Sequence, residues 1–341
     1  MSRAQLTSTD QQNSGGPVSP YVAGKNKIIN GDFGIWQRGT SFTLTTATAT
    51  YCADRFLATA YGTGTAATLT QQTFTPGTAP VSGYEGSYFP RITNFSTGTI
   101  AYEFRQRIED VRTFAGQTAT FSFWSKASVA QSGLTVRFTQ NFGSGGSTAV
   151  STDASSTLSI TTGWVRNSFT VAIPSISGKT VGTSSYLEVL FFLGSGGTAS
   201  STIDTWGWQV EAGSVATPFT TATGTFSGEL AACQRYYYQT SNAGTVWLAN
   251  GWASGTTNFD GYFQFPTTMR TAASVTATSG ASYFYIAVGS TSFTTTTPTG
   301  FFNPSVQGFY LRFAGSGLTT GQGGISQAQS SSAVIMASAE L

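Results

Sequence analysis

The apolar and polar positions of this chain follow the two-residue period of short β-strands. In "TATFSFWSKA" (Thr118–Ala127), Ala119, Phe121 and Phe123 share one face of the predicted strand. The same period recurs in "IAYEFRQRI", "WVRNSFTVAI", "SYLEVLFFLG", "TIDTWGWQVEAG" and, later, "GYFQFP". Glycine- and serine-rich turns such as "GSGGST" separate these runs. Many short strands at this spacing predict antiparallel β-sandwiches or barrels, so the predicted fold class is all-β.

The strand "GFYLRFAG" shows how the C-terminal region alternates. Phe309, Leu311 and Phe313 point to one face, whereas Tyr310 and Arg312 point to the other. Alternation of this kind is typical of a strand with one buried face.

One segment, "SGELAACQRYYYQ" (Ser227–Gln239), has the period of a helix, with Ser227 as its predicted cap. Leu230, Cys233 and Tyr237 would share one face. In a trimer, Leu230 and Tyr237 would be candidate contacts around the threefold axis. The alternative is that the helix covers one end of its own sandwich, and the pattern does not separate the two.

Changes in composition divide the chain into four predicted parts. Residues 1–25 are polar and form an extended arm. Residues 26–222 form a first β-sandwich, and residues 223–240 form a helical connector. Residues 241–341 form a second, smaller β-sandwich that would face outward from an assembly.

Composition excludes several classes of function. The chain has 341 residues, 16 Lys and Arg, 14 Asp and Glu, and no histidine. The net charge of +2 and the absence of a basic stripe argue against a nucleic-acid partner. Catalysis by Ser-His-Asp or Cys-His arrangements is excluded. No apolar run reaches membrane-spanning length, so no membrane insertion is predicted. Cys52 and Cys233 are expected to be buried thiols.

Acidic residues are the remaining candidates for catalysis. The acids that could form a glycosidase-like pair are Glu103, Glu109, Asp110 and Glu188. Such a pair needs a defined separation across a cleft, and nothing in the sequence places two of them there. The alternative is that these acids pair with Arg105, Arg107 and Arg112. The sequence therefore predicts that the protein is not an enzyme.

Two further groups of residues are predicted to be structural. Asp54 and Arg38 could form a bidentate ion pair or a solvated pair. The tryptophans of the first sandwich are expected to fill cores, since large aromatic side chains dominate them. In "TWGWQ", Trp206 and Trp208 would share one face.

A series of motifs resembles two groups of proteins. "KIINGDFGIWQRG", "YCADRF", "ATFSFWSKAS", "GWVRNSFTVAI" and "TIDTWGWQVEAG" are similar to the jelly-roll sandwich of carbohydrate-binding modules of the family 4/9 type. "QVEAGSVATPF", "ELAACQRYYYQ", "FQFPTTMRTAASVT" and "ASAEL" resemble bacteriophage tail-fibre and related virion proteins. The resemblance covers about residues 26 to 280 and the final residues.

The resemblance implies a jelly roll for residues 26–222 and a non-enzymatic virion protein, a homotrimeric tail fibre that binds a receptor. Residues 1–25 would dock on tail or baseplate proteins, and the C-terminal sandwich would contact host-surface glycans. Two alternatives remain: a head fibre or decoration protein on the capsid, and a glycan depolymerase. The predicted glycan-contact residues are Trp247, Trp252, Tyr262, Tyr283 and Tyr285.

The resemblance also implies one metal site. In the resembling modules, acids of the first loop and of the late strand often hold a structural Ca²⁺, which here would involve Asn30, Asp32 and Asp204. Gly34 stands where those modules have another acid. The alternative is that Asp32 only caps a turn. No other cofactor is predicted.

Overall fold

The structure is a computed structural model, which describes residues 24–45, 47–61, 67–81, 84–93, 101–193, 201–240 and 244–341. Within these ranges it has 22 strands and one short helix. The predicted all-β fold is confirmed: a jelly-roll sandwich precedes the helix, and a smaller β-sandwich follows it. Of the predicted N-terminal arm, residues 1–23 lie outside the described residues.

The strands occur in three runs along the chain. The first run is β1 (Ser41–Leu44), β2 (Thr50–Tyr51), β3 (Phe56–Tyr61), β4 (Ala67–Thr73), β5 (Tyr88–Thr93) and β6 (Ala101–Glu109). The second is β7 (Thr118–Ala127), β8 (Gln131–Asn141), β9 (Val150–Ile160), β10 (Val165–Ala172), β11 (Tyr186–Leu193) and β12 (Ile203–Ala212). After helix α1 (Phe226–Gln234) come β13 (Tyr237–Gln239), β14 (Val246–Ala253), β15 (Asn258–Gln264), β16 (Ser274–Ala277), β17 (Phe284–Val288), β18 (Thr291–Thr295), β19 (Gly300–Phe302), β20 (Gly308–Ala314), β21 (Gly323–Ala328) and β22 (Ile335–Ser338).

The chain divides into two compact units. The first contains the described residues up to Gly34, together with Thr43–Ala49 and Ala58–Glu229. The second contains Ile35–Phe42, Thr50–Leu57 and Leu230–Leu341.

This division corrects the predicted boundaries, which assigned 35–42 and 50–57 to the jelly roll. These segments belong to the second unit because their polar groups bond within it. The Asp54 backbone N–H donates to the Ile35 carbonyl at 3.1 Å, and Arg55 forms an ion pair with Glu340. Residues 230–240 are also part of the second unit rather than a separate connector, since β13 pairs with β22.

The helix is shorter than predicted. It begins at Phe226 rather than after Ser227, and the hydroxyl of Thr225 accepts a hydrogen bond from the Gly228 N–H at 3.1 Å. Thr225 is therefore the N-cap. The helix ends at Gln234, and Tyr237 lies in strand β13, so the predicted helical face containing Tyr237 does not exist.

Two six-stranded antiparallel sheets form the jelly roll. Their strand orders are β1-β4-β5-β12-β7-β10 and β2-β3-β6-β11-β8-β9. Strand β2 and the first residues of β1 and β3 are assigned to the second unit. Aromatic side chains fill the space between the sheets. Phe121 of β7 packs edge-to-face on Phe138 of β8 at 6.3 Å, and Phe123 packs on Phe191 of β11 at 5.6 Å. The sandwich core is thus largely aromatic.

Strand β12 contains a bulge that separates two tryptophans. Gly207 has a φ of +65°, and the register with β7 shifts between Trp206 and Gln209. An extra residue at a bulge interrupts the alternation of the strand, so that side chains two positions apart, here Trp206 and Trp208, lie on opposite faces. Trp208 consequently packs on Phe121 in the inter-sheet core, and Trp206 packs on Trp124 on the opposite face. The prediction that the two tryptophans share a face was wrong, although both are fully buried.

A second aromatic layer covers the outer face of the β12 sheet. Its members are Phe74, Tyr84, Phe89, Trp124, Trp164, Trp206 and Phe219. Trp124 is 8% exposed and Trp206 is fully buried, which confirms the core-packing prediction for these residues. The jelly roll therefore buries apolar surface on both faces of one sheet.

The turn after β12 closes over the buried carboxylate of Glu211. Its oxygens accept hydrogen bonds from the Thr217 N–H at 2.9 Å, the Thr217 hydroxyl at 2.7 Å and Gln209 at 2.7 Å. Lys25 Nζ lies 3.2 Å away. Burial alone would raise the pKa of Glu211, but these bonds hold it below its usual range. In the "QVEAGSVATPF" motif, these hydrogen bonds to Glu211 therefore hold the turn after β12 closed.

Glu211→Gln should lower the free energy of unfolding at neutral pH by about 1–3 kcal/mol, the contribution of hydrogen bonds to a charged group. Because the folded-state pKa is lowered, the unfolded chain takes up the proton first on acidification. The stabilisation is therefore present at neutral pH and is lost as the pH falls below the ordinary glutamate pKa of about 4.3. Urea denaturation of both proteins across this range would measure the difference. If the difference in the free energy of unfolding between the two proteins stayed constant with pH, the lowered pKa of Glu211 would be contradicted.

The second unit is built from a seven-stranded and a three-stranded sheet. Their strand orders are β18-β17-β21-β14-β15-β20-β19 and β13-β22-β16. At the centre of its core, Phe263 stacks on Phe309, and Phe265 packs against Phe309 at a tilt of 49°. Cys52 and Cys233 are buried thiols, as predicted, and burial raises the pKa of Cys52 to about 12. This unit carries the exposed aromatic residues considered next.

Candidate functional site

Strands β15 and β20 present one face to the core and one to solvent. In β20, Phe309, Leu311 and Phe313 are fully buried, and Tyr310 is 36% exposed. This confirms the alternation predicted for "GFYLRFAG". In β15 the outward residue is Tyr262, which is 40% exposed. The outer face of the seven-stranded sheet therefore carries large aromatic side chains.

The register brings these rings together. Tyr262 lies directly opposite Tyr310, and Tyr310 lies opposite Phe302 of β19. Residues directly opposite each other in antiparallel strands share a face. The ring centroids of Tyr262 and Tyr310 are 5.2 Å apart, and Trp252 of β14 packs edge-on against Tyr310 at 6.2 Å. We name Trp252, Tyr262, Phe302 and Tyr310 the aromatic ridge.

An ion pair between Arg312 and Asp260 borders the ridge. The Arg312 guanidinium donates two hydrogen bonds of 2.6 Å to the carboxylate of Asp260. It also lies over the Phe302 ring, 4.9 Å from its centroid. The bonds from Arg312 hold the pKa of Asp260 below its usual range. The pair is therefore formally neutral, and the ridge is bordered by polar groups with little net charge.

The five predicted glycan-contact residues are not all brought together. Trp252 and Tyr262 belong to the ridge. Trp247 is 66% exposed. It lies opposite Gln327, which in turn lies opposite Tyr285, so Trp247 and Tyr285 lie in a different cross-strand row of the same sheet from the ridge. Tyr283 precedes β17, is half-buried and packs partly against the core, so it does not belong to the ridge.

The predicted contact residues omit two members of the ridge. The alternation of "GFYLRFAG" places Tyr310 on the outward face of its strand, which is a sufficient signal for its inclusion. Phe302 is 42% exposed and precedes the turn "NPS"; its position opposite Tyr310 depends on strand register, which the sequence pattern does not give.

The predicted metal ligands have other partners. Asp204 is buried and accepts hydrogen bonds from Arg91 at 2.7 and 2.8 Å, with Lys126 Nζ 3.5 Å away. The Asp32 carboxylate accepts from the Tyr84 hydroxyl at 2.8 Å, and burial raises the pKa of Tyr84, which keeps this donor protonated. The Asn30 N–H donates to Glu229 at 2.7 Å.

This arrangement does not fit a Ca²⁺ site, which needs six to eight oxygen ligands. The charge of Asp204 is already matched by two cations. Within the described ranges, no group of three or more His, Cys, Asp or Glu side chains is placed to hold a metal ion. The "NGDF" loop instead closes the edge of the sandwich, because Trp208 donates its backbone N–H to Gly31 at 2.9 Å and Trp206 donates its indole N–H to Asp32 at 3.1 Å.

The two candidate trimer contacts differ in exposure. Leu230 is half-buried in α1. Tyr237 is buried in its own chain, where Arg38 lies 3.5 Å from its ring centroid and Gln239 accepts a 2.8 Å hydrogen bond from its hydroxyl. Tyr237 therefore presents almost no surface to another copy, which corrects its assignment.

The candidate catalytic acids are mostly paired with arginines. Glu188 lies within 3.1 Å of Arg107 and 3.4 Å of Arg105. Glu103 pairs with Arg105, and the exposed Asp110 pairs with Arg112 at 3.0 Å. For these acids the predicted arginine pairing is confirmed.

The Arg38–Asp54 pair has neither of the predicted forms. Asp54 is buried and accepts hydrogen bonds from the backbone and side chain of Gln37. Arg38 Nη1 is 3.8 Å from Asp54, while Arg38 Nη2 donates to Glu340 at 3.0 Å. The pair is thus part of a larger buried network that includes residues near position 340.

Comparison with solved structures found proteins of similar β fold. A domain titled the enzymatically active domain of bacteriophage CBA120 tailspike protein 4 is 17% identical, with a TM-score of 0.36, over 57% of this chain and 22% of that one. A CBM4 module is 21% identical, with a TM-score of 0.31, over 54% of this chain and 98% of that one. A CBM61 module in complex with β-1,4-galactotriose is 12% identical, with a TM-score of 0.30, over 55% and 99% of the two chains.

The chain spans about a fifth of the length of the tailspike domain that it matches. No protein-family model and no curated protein matches the sequence. In the described part of the chain, no helix is both long enough and apolar enough to cross a membrane.

Proposed function

We propose that this chain is a non-enzymatic phage virion protein whose C-terminal unit contacts host-surface glycans through the aromatic ridge. The observation that carries this proposal is the grouping of Trp252, Tyr262, Phe302 and Tyr310, each 36–42% exposed, on adjacent strands. The apolar face of a sugar ring can stack on an exposed aromatic ring. The exposed amides of Asn250 and Gln264, on the same face, offer hydrogen bonds to sugar hydroxyl groups.

Charge favours a glycan over a nucleic acid at this surface. Arg312, which borders the ridge, is bonded to Asp260. A phosphate backbone would find no unpaired positive charge among these residues. A neutral polysaccharide, with the apolar faces of its sugar rings and its hydroxyl groups, matches the ridge better than a nucleic acid does.

The location that we propose on a virion rests on the phage-like motifs of the sequence. We infer a tail-fibre subunit that acts as a homotrimer, with residues 1–25 docking on tail or baseplate proteins. Each glycan contact would be weak, and several copies on one particle would multiply its effect. The arginine-paired acids support a role in binding rather than in catalysis.

The proposal is tested with the full chain on an array of bacterial O-antigen, capsular and cell-wall polysaccharides. Binding to at least one polysaccharide, without release of shorter fragments, is the expected result. Binding to none, or cleavage of the bound polymer, would overturn it. The mass of the purified chain in solution would test the trimer separately.

Replacing Trp252 or Tyr310 by alanine should lower affinity for the polysaccharide by about tenfold or more. Each substitution removes a ring whose burial contributes about 1.5–3 kcal/mol, and 1.4 kcal/mol is a factor of ten. Phe226→Ala is the matched control, since Phe226 is an exposed aromatic residue (66%) on α1 of the first unit. Binding isotherms for the three variants give the comparison. Equal losses in all three would exclude the ridge as the contact.

A further inference from the structure

Strand β14 carries two exposed tryptophans, and a bulge places both on the outer face of the seven-stranded sheet. Trp247 and Trp252 are five positions apart, so strict alternation would put them on opposite faces. The register with β21 shifts between Trp247 and Ala249, which adds one residue on the β14 side. Trp252 consequently lies opposite Gly323, and Trp247 lies opposite Gln327. These two partners are an even number of positions apart on β21 and share a face, so the two tryptophans share it as well.

Trp247, Gln327 and Tyr285, which lie opposite one another in that order, form a row that we name the second row. The residues before and after Gln327 are fully buried, and so are those before and after Tyr285. Gln327 and Tyr285 therefore point outward. The second row thus lies beside the aromatic ridge on one continuous sheet face.

The side chain of Tyr262 leans from the ridge towards the second row. Its hydroxyl oxygen and Cζ lie 2.6 and 2.8 Å from where a Cβ of Gly308 would be. Gly308 lies two positions from Tyr310 along β20, on the side of the ridge at which Trp247 lies. Because Gly308 has no side chain, the Tyr262 ring can lie over the backbone there. Tyr262 therefore narrows the gap between the ridge and the second row.

Together the ridge and the second row form a track that crosses the sheet. In the strand order β17-β21-β14-β15-β20-β19, every strand except β21 contributes an aromatic side chain, and β21 contributes Gln327. Five strand spacings of about 4.8 Å give this track a length of roughly 24 Å. One sugar ring covers about one aromatic side chain, so the track matches an oligosaccharide segment rather than a single sugar.

Polar, uncharged side chains lie among the aromatic ones. Gln327 separates Trp247 from Tyr285, the exposed Thr294 lies opposite Tyr285, and the exposed Asn250 lies opposite Tyr262. A contact between two copies of the chain would be expected to have a contiguous apolar centre. Rings that alternate with amides and hydroxyl groups instead complement a polysaccharide, which presents apolar ring faces and hydroxyl groups in turn.

We propose that this track binds an internal segment of an extended, uncharged polysaccharide whose chain runs across the strands between Phe302 and Tyr285. This inference rests on the glycan-binding function proposed above. It adds that the glycan is bound along its length rather than at one end, and that Trp247 and Tyr285 contact it together with the ridge.

The dependence of affinity on glycan length tests this proposal. The probes are dextran and neutral O-antigen polysaccharides, each with the disaccharide, tetrasaccharide and octasaccharide fragments obtained by partial hydrolysis. Calorimetric titration of the full chain should show an affinity at least tenfold higher for the octasaccharide than for the disaccharide of a polysaccharide that binds. Equal affinity for the two fragments would overturn this inference and leave the proposed function standing. Binding of no probe at all would overturn both.

A variant of the second row assigns the additional contacts. Trp247→Ala should lower affinity for the octasaccharide about tenfold, since it removes one stacking ring outside the ridge. Phe226→Ala, which removes an aromatic ring with the same exposure of 66% from the first unit, should leave affinity unchanged. An unchanged octasaccharide affinity in Trp247→Ala would exclude the second row from the site. If that variant instead lowered the mass of the protein in solution without changing affinity, this face would be a contact between copies and the proposal would be wrong.

Discussion

Replacing Glu340 by alanine should destabilise the second unit by about 3–5 kcal/mol, the cost of removing one partner of a buried ion pair. Glu340 pairs with Arg55, whose side chain is only 1% exposed, and with Arg38 at 3.0 Å. The Arg55 guanidinium also lies 3.4 Å from the ring centroid of Tyr236 and cannot reach water without opening the unit. Without Glu340 the buried Arg55 guanidinium would lose this ion-pair partner.

Asp110→Ala is the matched control for this experiment, since it removes an acid from an ion pair that is 44% and 61% exposed. An exposed pair contributes about 1 kcal/mol at most. Urea denaturation gives the free energies, and hydrogen exchange of residues 230–240 reports on the second unit itself. A loss for Glu340→Ala no larger than that for Asp110→Ala would mean that Arg55 is not dependent on this carboxylate. The double variant Arg55→Met with Glu340→Leu should recover part of the loss, because an apolar pair removes the buried charge.

Gly207→Ala should destabilise the jelly roll by about 2–5 kcal/mol. The backbone at Gly207 has a φ of +65°, which costs a residue with a side chain about 1–2 kcal/mol. The added Cβ would also lie 2.6 Å from Cε3 of Trp124, so the tightly packed aromatic layer would have to shift. Overpacking of this kind costs about 1–3 kcal/mol.

Gly133→Ala separates the two causes. Gly133 lies in β8 of the same unit, has a φ of +73° and has no heavy atom within 4 Å of its would-be Cβ. It therefore bears the backbone strain without the clash. Thermal unfolding of both variants should show a clearly larger loss at Gly207. Equal losses would mean that the bulge tolerates a side chain and that Trp124 can move.

Much of the β architecture could be predicted from local pattern. The alternation in "TATFSFWSKA" and "GFYLRFAG" corresponds to β7 and β20, and the outward position of Tyr310 follows from the same alternation. Alternation depends only on the pleat of a single strand, so it needs no knowledge of partners.

Features that depend on distant residues could not be predicted. The helical period extends in the sequence through Tyr237, yet that residue pairs with Ser338 of β22 and so belongs to a strand. The bulge at Gly207 breaks the strict alternation on which the prediction for Trp206 and Trp208 depends. Tertiary pairing overrides local propensity in both places.

The candidate site shows the same limit. Exposed aromatic residues in the C-terminal region can be identified by type, and two of the five predicted, Trp252 and Tyr262, lie in the ridge. Phe302 joins it only through its register with Tyr310, and Tyr283 is absent from it because it packs inward. The buried network around Arg38 combines residues about 200 positions apart in the sequence, as in the bond from Gln37 to the Tyr237 carbonyl, which no local pattern encodes.

The composition of the second unit has a consequence for the order in which the chain is made. Its segments 35–42 and 50–57 leave the ribosome early, and their partner Glu340 follows 285 residues after Arg55. Domains generally fold as units during synthesis, from the N-terminus onward. The second unit cannot do so, because its first segments wait for their partners until residue 340 has been synthesised. The unit therefore closes only after the strands of the jelly roll, which lie between these segments in the sequence, have been made.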